Sequence, residues 1–354
     1  MCRPSSRRAF SFSGSVIVGA GQASLFQTCT AIELRWATSP STDPRFARCA
    51  EVLARTWHPG DVLVASSDLT HYGRGFHYVP FPVDRQIAAR LRELDRSVID
   101  AACGVDSALF LEKLSQSGAT ACGSQPIALL LHTLSLIDGE DIFQQEMDYQ
   151  TSGEMTGDFH ESVSYSALGF FHRSSFELNE AERSELLRSA RATLRHLGET
   201  GRPTPVPPQS LPALARRVPV FVSIHNAGRL LGCVGRVRRP LPLSDAVPEM
   251  TLAAALHDPR RPPAAGIPGD AEIEISVLTP MKLVRGIDAI RIGRDGAYVE
   301  CGAHSALLLP QVVDRGWTAT RFVDLLFRKA GLEPRAYGAP GTRLYGFQAQ
   351  VFRR

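Results

Sequence analysis

The segment Asp61-Val62-Leu63-Val64-Ala65-Ser66-Ser67-Asp68-Leu69-Thr70-His71 is a short apolar run that ends in two serines, a carboxylate and an imidazole. With the turn residues Pro59-Gly60 before it, the run reads as a buried strand. Open α/β sheets place their sites at the C-terminal ends of such strands. Asp68 and His71 are three residues apart, so a tight turn leaving the strand brings both side chains onto one metal ion or one substrate proton. The plainer alternative makes Asp68 a cap for whatever follows and His71 a surface loop residue.

Upstream, residues 15–20 read as a strand with a glycine exit, and residues 39–44 (SPSTDP) as a loop. Residues 21–38, which include Trp36, decide for neither helix nor strand. A helix follows over residues 45–56, with Phe46, Cys49, Ala50, Leu53 and Ala54 at helical spacing. Strand, helix and strand in succession predict a mostly parallel sheet. Downstream, the glycine- and aromatic-rich residues 72–80 suit a pocket wall. Amphipathic helices are expected over residues 83–102 and 106–116. Pro126 fits the first turn of an apolar helix, which sets Cys122 just before its N-terminus, where the helix dipole favours the thiolate that binds metal or attacks an electrophile. The competing reading of Cys122 is a small buried hydrophobe. His132 falls inside the apolar helix as a core or edge residue, and strands over 143–150 and 162–171 close the domain.

A length of 354 residues suggests two domains, and 44% hydrophobic with 21% charged residues suits packed cores. A net charge of +3 gives no support for a nucleic-acid surface. The longest apolar runs, such as residues 127–131, fall far short of a membrane span. Residues 1–14 lack the apolar core of a secretory signal, which makes the cytoplasm the expected location. The seven scattered cysteines contain no CxxC pair and are expected to be reduced thiols. Phosphate-binding glycine loops and a GxSxG elbow are absent from the sequence.

Four motifs in order, Val62-Leu63-Val64-Ala65-Ser66-Ser67-Asp68 with His71-Tyr72-Gly73, Cys122-Gly123-Ser124-Gln125-Pro126-Ile127, Asp148-Tyr149-Gln150-Thr151-Ser152-Gly153 and Ser162-Val163-Ser164-Tyr165-Ser166-Ala167, resemble the C-terminal half of the Memo family. The resemblance implies a fold like that of extradiol-type non-haem-iron dioxygenases. It makes Asp68, His71 and Cys122 the pocket, catalytic or metal-binding residues, with iron or copper as the implied metal. The family carries further pocket histidines in an N-terminal half, whereas this chain has no histidine before His58. A truncated Memo-like domain over residues 15–173, offering at most three protein ligands, is therefore expected.

Residues 174–208 form the seam, with a helix over 180–197 and a proline-rich stretch over 198–208. Strands over 219–225 and 230–235 turn about residues 226–229, and two glycines sit inside the return strand. Cys233 between them is either a reactive thiol or a small residue packed where space is tight. A helix over 243–256 runs to Asp258-Pro259-Arg260, and residues 272–280 alternate as a half-exposed strand. A hairpin of 289–292 with 297–300, a helix over 320–330 and a last strand over 345–352 complete the expectation. Val222-Ser223-Ile224-His225, Gly232-Cys233-Val234-Gly235, Asp258-Pro259-Arg260, Glu274-Ile275-Ser276-Val277-Leu278-Thr279-Pro280 and Leu307-Leu308-Leu309-Pro310-Gln311-Val312 closely resemble the AMMECR family over residues 178–354, with Leu231 where that family has arginine.

The expected whole is two domains, a truncated, mostly parallel α/β sheet with helices and an α+β AMMECR-like domain. Proteins resembling the two halves belong to one bacterial system, AmmeMemoRadiSam, so the resemblance implies a radical-SAM enzyme as partner and a peptide or small aromatic group as substrate. Three functional readings remain. The first is a metal-dependent, oxidoreductase-like pocket at Asp68, His71 and Cys122. The second is a non-catalytic binding or scaffold protein. The third places chemistry at Cys233 with His225 or His304, beside Gly232 and Gly235.

Overall fold

The structure is a computed structural model that describes residues 15–22, 24–33, 44–58, 61–238, 240–258, 271–313, 316–334, 337, 339 and 341–353, with the backbone alone for residues 15–33. The expected turn at Pro59-Gly60, the loop over residues 39–43, Trp36, the N-terminal residues 1–14 and the pair Pro259-Arg260 lie outside these residues. The chain divides into two compact units, Met1–His172 and Arg173–Arg354.

The first unit runs β1 (Ser15–Gln22), β2 (Ser24–Glu33), α1 (Pro44–Thr56), β3 (Asp61–Ser66), β4 (His71–Gly73), α2 (Ile87–Cys103), α3 (Ser107–Ser117), α4 (Ser124–Asp138), β5 (Ile142–Thr151), α5 (Ser152–Thr156) and β6 (Glu161–His172). Its strands form two three-stranded sheets, β2-β1-β3 and β4-β6-β5. Every ladder in them is antiparallel, so the expected mostly parallel sheet is not what these residues build. β2, which the sequence left undecided, accounts for the difference. The helical crossover joins β2 to β3, two strands that run the same way, but β1 lies between them and opposes both.

Local chemistry sets the helix ends. The Asp106 carboxylate accepts from the amides of Ala108 and Leu109, and α3 stops at Gly118, in the left-handed conformation at φ 76°. α2 begins at Ile87, later than the expected residue 83, because residues 84–86 form a turn held by the Asp84 carboxylate on the Gln86 amide. α1, α2, α3 and α4 supply one apolar core around Phe46, Ala50, Val98, Ala102, Phe110 and Leu129. His132 stacks on Phe46 with ring centroids 5.8 Å apart, the core-edge role expected of it.

The second unit contains α6 (Glu180–Thr200), β7 (Val220–Asn226), β8 (Arg229–Arg236), α7 (Leu243–Leu256), β9 (Glu272–Leu278), β10 (Lys282–Leu283), β11 (Gly296–Cys301), β12 (His304–Leu308), α8 (Ala319–Lys329), β13 (Thr342–Phe347) and β14 (Ala349–Arg353). They build two antiparallel four-stranded sheets, β14-β9-β7-β8 and β10-β13-β11-β12. Asn179 opens α6 with a capping box completed by Glu182. Two expectations fail here. Residues 289–292 are not a strand, because the Asp295 carboxylate accepts from the Arg291 amide and guanidinium at 3.0 Å and closes a turn; β11 pairs instead with β12 and β13. Residues 345–352 are not one strand, because the chain changes sheet at the buried Gln348.

Candidate functional site

The end of β3 and the start of α4 make one clasp. The Cys122 amide donates to the Asp68 carbonyl at 3.2 Å, and the Asp68 amide donates to the Cys122 sulfur at 3.1 Å. Ser67 ties the same two loops together, its hydroxyl donating to the Asp68 carbonyl at 2.8 Å and accepting from the Gly123 amide at 2.9 Å. The contact is close enough to require glycine at 123, where a Cβ would meet the Ser67 Cβ at 2.6 Å and the Ser66 carbonyl oxygen at 2.7 Å. These bonds bring Asp68 and Cys122 together through backbone and sulfur, without bringing the Asp68 carboxylate to the thiol.

His71 Nε2 lies 3.8 Å from Asp68 Oδ2, with the imidazole 13% exposed and the carboxylate 46%. Phe76, from the glycine- and aromatic-rich loop, meets the imidazole edge-on with centroids 5.1 Å apart. Of this loop, Phe76 covers one side of the histidine, and no residue of 72–80 lines the cavity beside β3.

A buried polar network holds this turn from beneath, and sequence reasoning passed over it. Asp95 of α2, fully buried, accepts from the Thr70 hydroxyl at 2.6 Å and from the Tyr149 phenol at 2.7 Å. Tyr149 also reaches the Ser164 hydroxyl at 3.3 Å, and the His71 amide donates to the Thr120 hydroxyl at 3.1 Å. Burial, and then the Asp95 charge, push the Tyr149 phenol well above its ordinary value. The effect is to lock the backbone that follows Asp68 while leaving its carboxylate accessible.

In the second unit the Gly-Cys-x-Gly stretch is explained by packing. A Cβ on Gly232 would lie 1.9 Å from the Ala254 carbonyl oxygen, and one on Gly235 would lie 2.3 Å from the Phe221 ring. β8 therefore presses directly on α7. The Cys233 amide donates to the buried Asp258 carboxylate at 2.9 Å, which ties the Asp258 motif to the motif at residues 232–235. Cys233 pairs across the ladder with Ser223, while His225 pairs with Leu230 after a bulge. His304 belongs to the other sheet, opposite Cys301, with its Nδ1 3.1 Å from the Ala330 carbonyl oxygen. The register does not join Cys233 to either histidine.

Among the described residues, the set of three potential ligands whose donor atoms all lie within 4.8 Å of one another is Asp138, Asp141 and His172, not Asp68, His71 and Cys122. No helix among the described residues is long and apolar enough to cross a membrane.

Comparison with known proteins matches each unit to a family. The AMMECR1 family model matches residues 187–352, and the model described as Memo-like protein matches residues 35–169. A protein of Methanothermobacter thermautotrophicus is 42% identical over 154 residues, 41% of this chain and 80% of its own length. One of Thermofilum pendens is 37% identical over 193 residues, 49% of this chain and 91% of its own. The solved structure of an uncharacterized protein from Pyrococcus horikoshii shares 34% identity, covering 48% of this chain and 89% of that one, with a TM-score of 0.44. With both motif sets in place and both family models matched, the chain belongs to the AMMECR1 family through residues 187–352 and carries a Memo-like domain over residues 35–169.

Proposed function

We propose that this Memo/AMMECR fusion is an accessory or oxidoreductase-like protein of the AmmeMemoRadiSam type that works with a radical-SAM enzyme and handles a peptide or small aromatic group at Asp68, His71 and Cys122. The observation that carries the reading is the sheltered His71 imidazole set 3.8 Å from the Asp68 carboxylate at a strand end, with the Cys122 thiol clasped to the same loop. Asp68 orients the imidazole, and His71 exchanges a proton with the bound group. Phe76, edge-on to that ring, supplies an apolar wall suited to an aromatic group.

The iron or copper implied by the Memo resemblance fits these residues only in part. Two ligands of one first-row ion, each at about 2.1 Å and in tetrahedral geometry, lie about 3.4 Å apart, so Asp68 and His71 suit one ion as oxygen and nitrogen donors. The Cys122 sulfur does not join them, because it is turned to the Asp68 amide and the three donor atoms do not converge. The set does not fit a three-ligand centre, and the proton chemistry above runs through the side chains alone. The 3.8 Å spacing does favour a second reading, in which a substrate or another chain completes a metal site.

Elemental analysis of the untagged chain and of a His71→Ala, Cys122→Ala double variant, together with the rate of Cys122 alkylation by iodoacetamide, separates these readings. The side-chain reading predicts no stoichiometric metal and alkylation slowed several-fold by His71→Ala alone. About one iron or copper per chain, lost in the double variant, would move the conclusion to the metal reading. No metal and no effect of His71 on Cys122 would leave the domain a scaffold.

A further inference from the structure

β3 and β6 stand on either side of a cavity of about 730 Å³. Residues 62–65 form one wall, residues 166–172 the other, and Val98, Ala102, Ile127, Leu130 and Leu134 of α2 and α4 line it as well. β3 was expected to be a buried strand, yet Val62 is 43% exposed and Leu63, Val64 and Ala65 are half-buried, because this space lies beside them. β4, which follows β3, pairs with β6 through His71 and Val163, so the two edges meet at one end. Beyond that point they part: β3 pairs on one edge with β1, residues 165–170 of β6 pair on one edge with β5, and neither has a second ladder among the described residues.

A strand edge presents amide and carbonyl groups at every second residue, and such groups demand partners wherever water is displaced. An aliphatic molecule fills the volume but leaves both edges without hydrogen bonds. An extended polypeptide brings backbone amide and carbonyl partners together with apolar side chains. The open end is acidic: Asp61 and Asp138 line the cavity, and Asp141 stands beside Asp138 and His172. The closed end is bounded by Ser67 and Leu69, the neighbours of Asp68.

We propose that this slot is a docking site for an extended segment of a partner polypeptide, about as long as the six residues of β3, apolar at alternate positions and carrying lysine or arginine where it passes Asp61, Asp138 and Asp141. The inserted strand joins the two three-stranded sheets into one and ends beside the loop that holds Asp68 and Cys122. It satisfies backbone groups on both walls, apolar surface at the floor and charge at the rim. The proposal does not depend on the chemistry assigned to His71.

The test uses the full chain and a fluorescein-labelled peptide of alternating valine and threonine with lysine at each end, read by fluorescence anisotropy. Binding is expected, weakened at least tenfold when alternate peptide amides are N-methylated and several-fold when glutamate replaces lysine. Val62→Lys with Ser166→Lys should abolish binding while the circular dichroism stays that of the parent. As a readout free of variants, hydrogen exchange of the unsubstituted chain should show new protection in residues 61–66 and 165–170 when the peptide is present. Equal binding of the N-methylated peptide, or no new protection in these two strands, overturns the proposal. So does dodecylamine displacing the peptide with the exchange pattern unchanged, which would make the cavity a site for apolar amines.

Discussion

Gly232 is held by a contact, not by an unusual backbone angle: the Ala254 carbonyl oxygen occupies the place of its missing Cβ at 1.9 Å. Gly232→Ala must push β8 off α7, and overpacking against backbone costs about 2–3 kcal/mol, to be seen as a lower midpoint in urea. Tyr149 gives a prediction with a sign. Its phenol is raised above the ordinary 10.0 by burial and by Asp95, so the folded state keeps a proton that the unfolded chain gives up. Stability from this group is complete below about pH 10 and falls as pH rises toward the folded value. Tyr149→Phe should remove that part of the alkaline decline while lowering stability at neutral pH by about 1–3 kcal/mol, because Asp95 loses a buried partner; chemical unfolding at pH 7, 9 and 11 reads both. The candidate residues Asp68, His71 and Cys122 could be picked out because their side-chain types declare themselves. Asp95 was not. It stands among arginines in residues 90–96 and reads as one more surface charge, and only the fold turns it beneath Thr70.

At the scale of elements, the helices and the hairpin of β7 with β8 could be read from period and turn chemistry, since local signals alone determine them. What failed depended on long-range contacts. The Arg-Asp-Gly sequence at residues 294–296 resembles a hairpin turn, but Asp295 uses its carboxylate on Arg291 and β11 finds its partners further along the chain. The step between β13 and β14 carries no glycine or proline to announce it. There the Gln348 amide donates to the Thr279 hydroxyl at 2.9 Å, and the Thr279 amide donates to the Gln348 carbonyl at 2.9 Å. Thr279→Val leaves a buried amide without its acceptor and should cost about 1–3 kcal/mol. Thr279→Ser, which keeps the hydroxyl, should recover most of it in the same denaturation experiment.

For the molecule as a whole, the partition at residues 172 and 173 predicts two independent folding units. A fragment of residues 173–354 should melt cooperatively by itself, and circular dichroism with calorimetry would show whether it does. The same fragment ended at residue 341 should not, since it lacks one strand from each sheet. β13 sits inside one sheet, β14 edges the other, and the Gln350 side chain both donates to and accepts from the Leu178 backbone at 2.9 and 2.8 Å, across 172 positions of chain. During synthesis, then, the first unit is free to fold as soon as it leaves the ribosome, but the second waits for residues 342–353. A nascent chain paused before that dozen emerges would carry a finished Memo-like unit tethered to an AMMECR1 unit with one gapped sheet and one bare sheet edge, which is the stage at which a chaperone has most to cover.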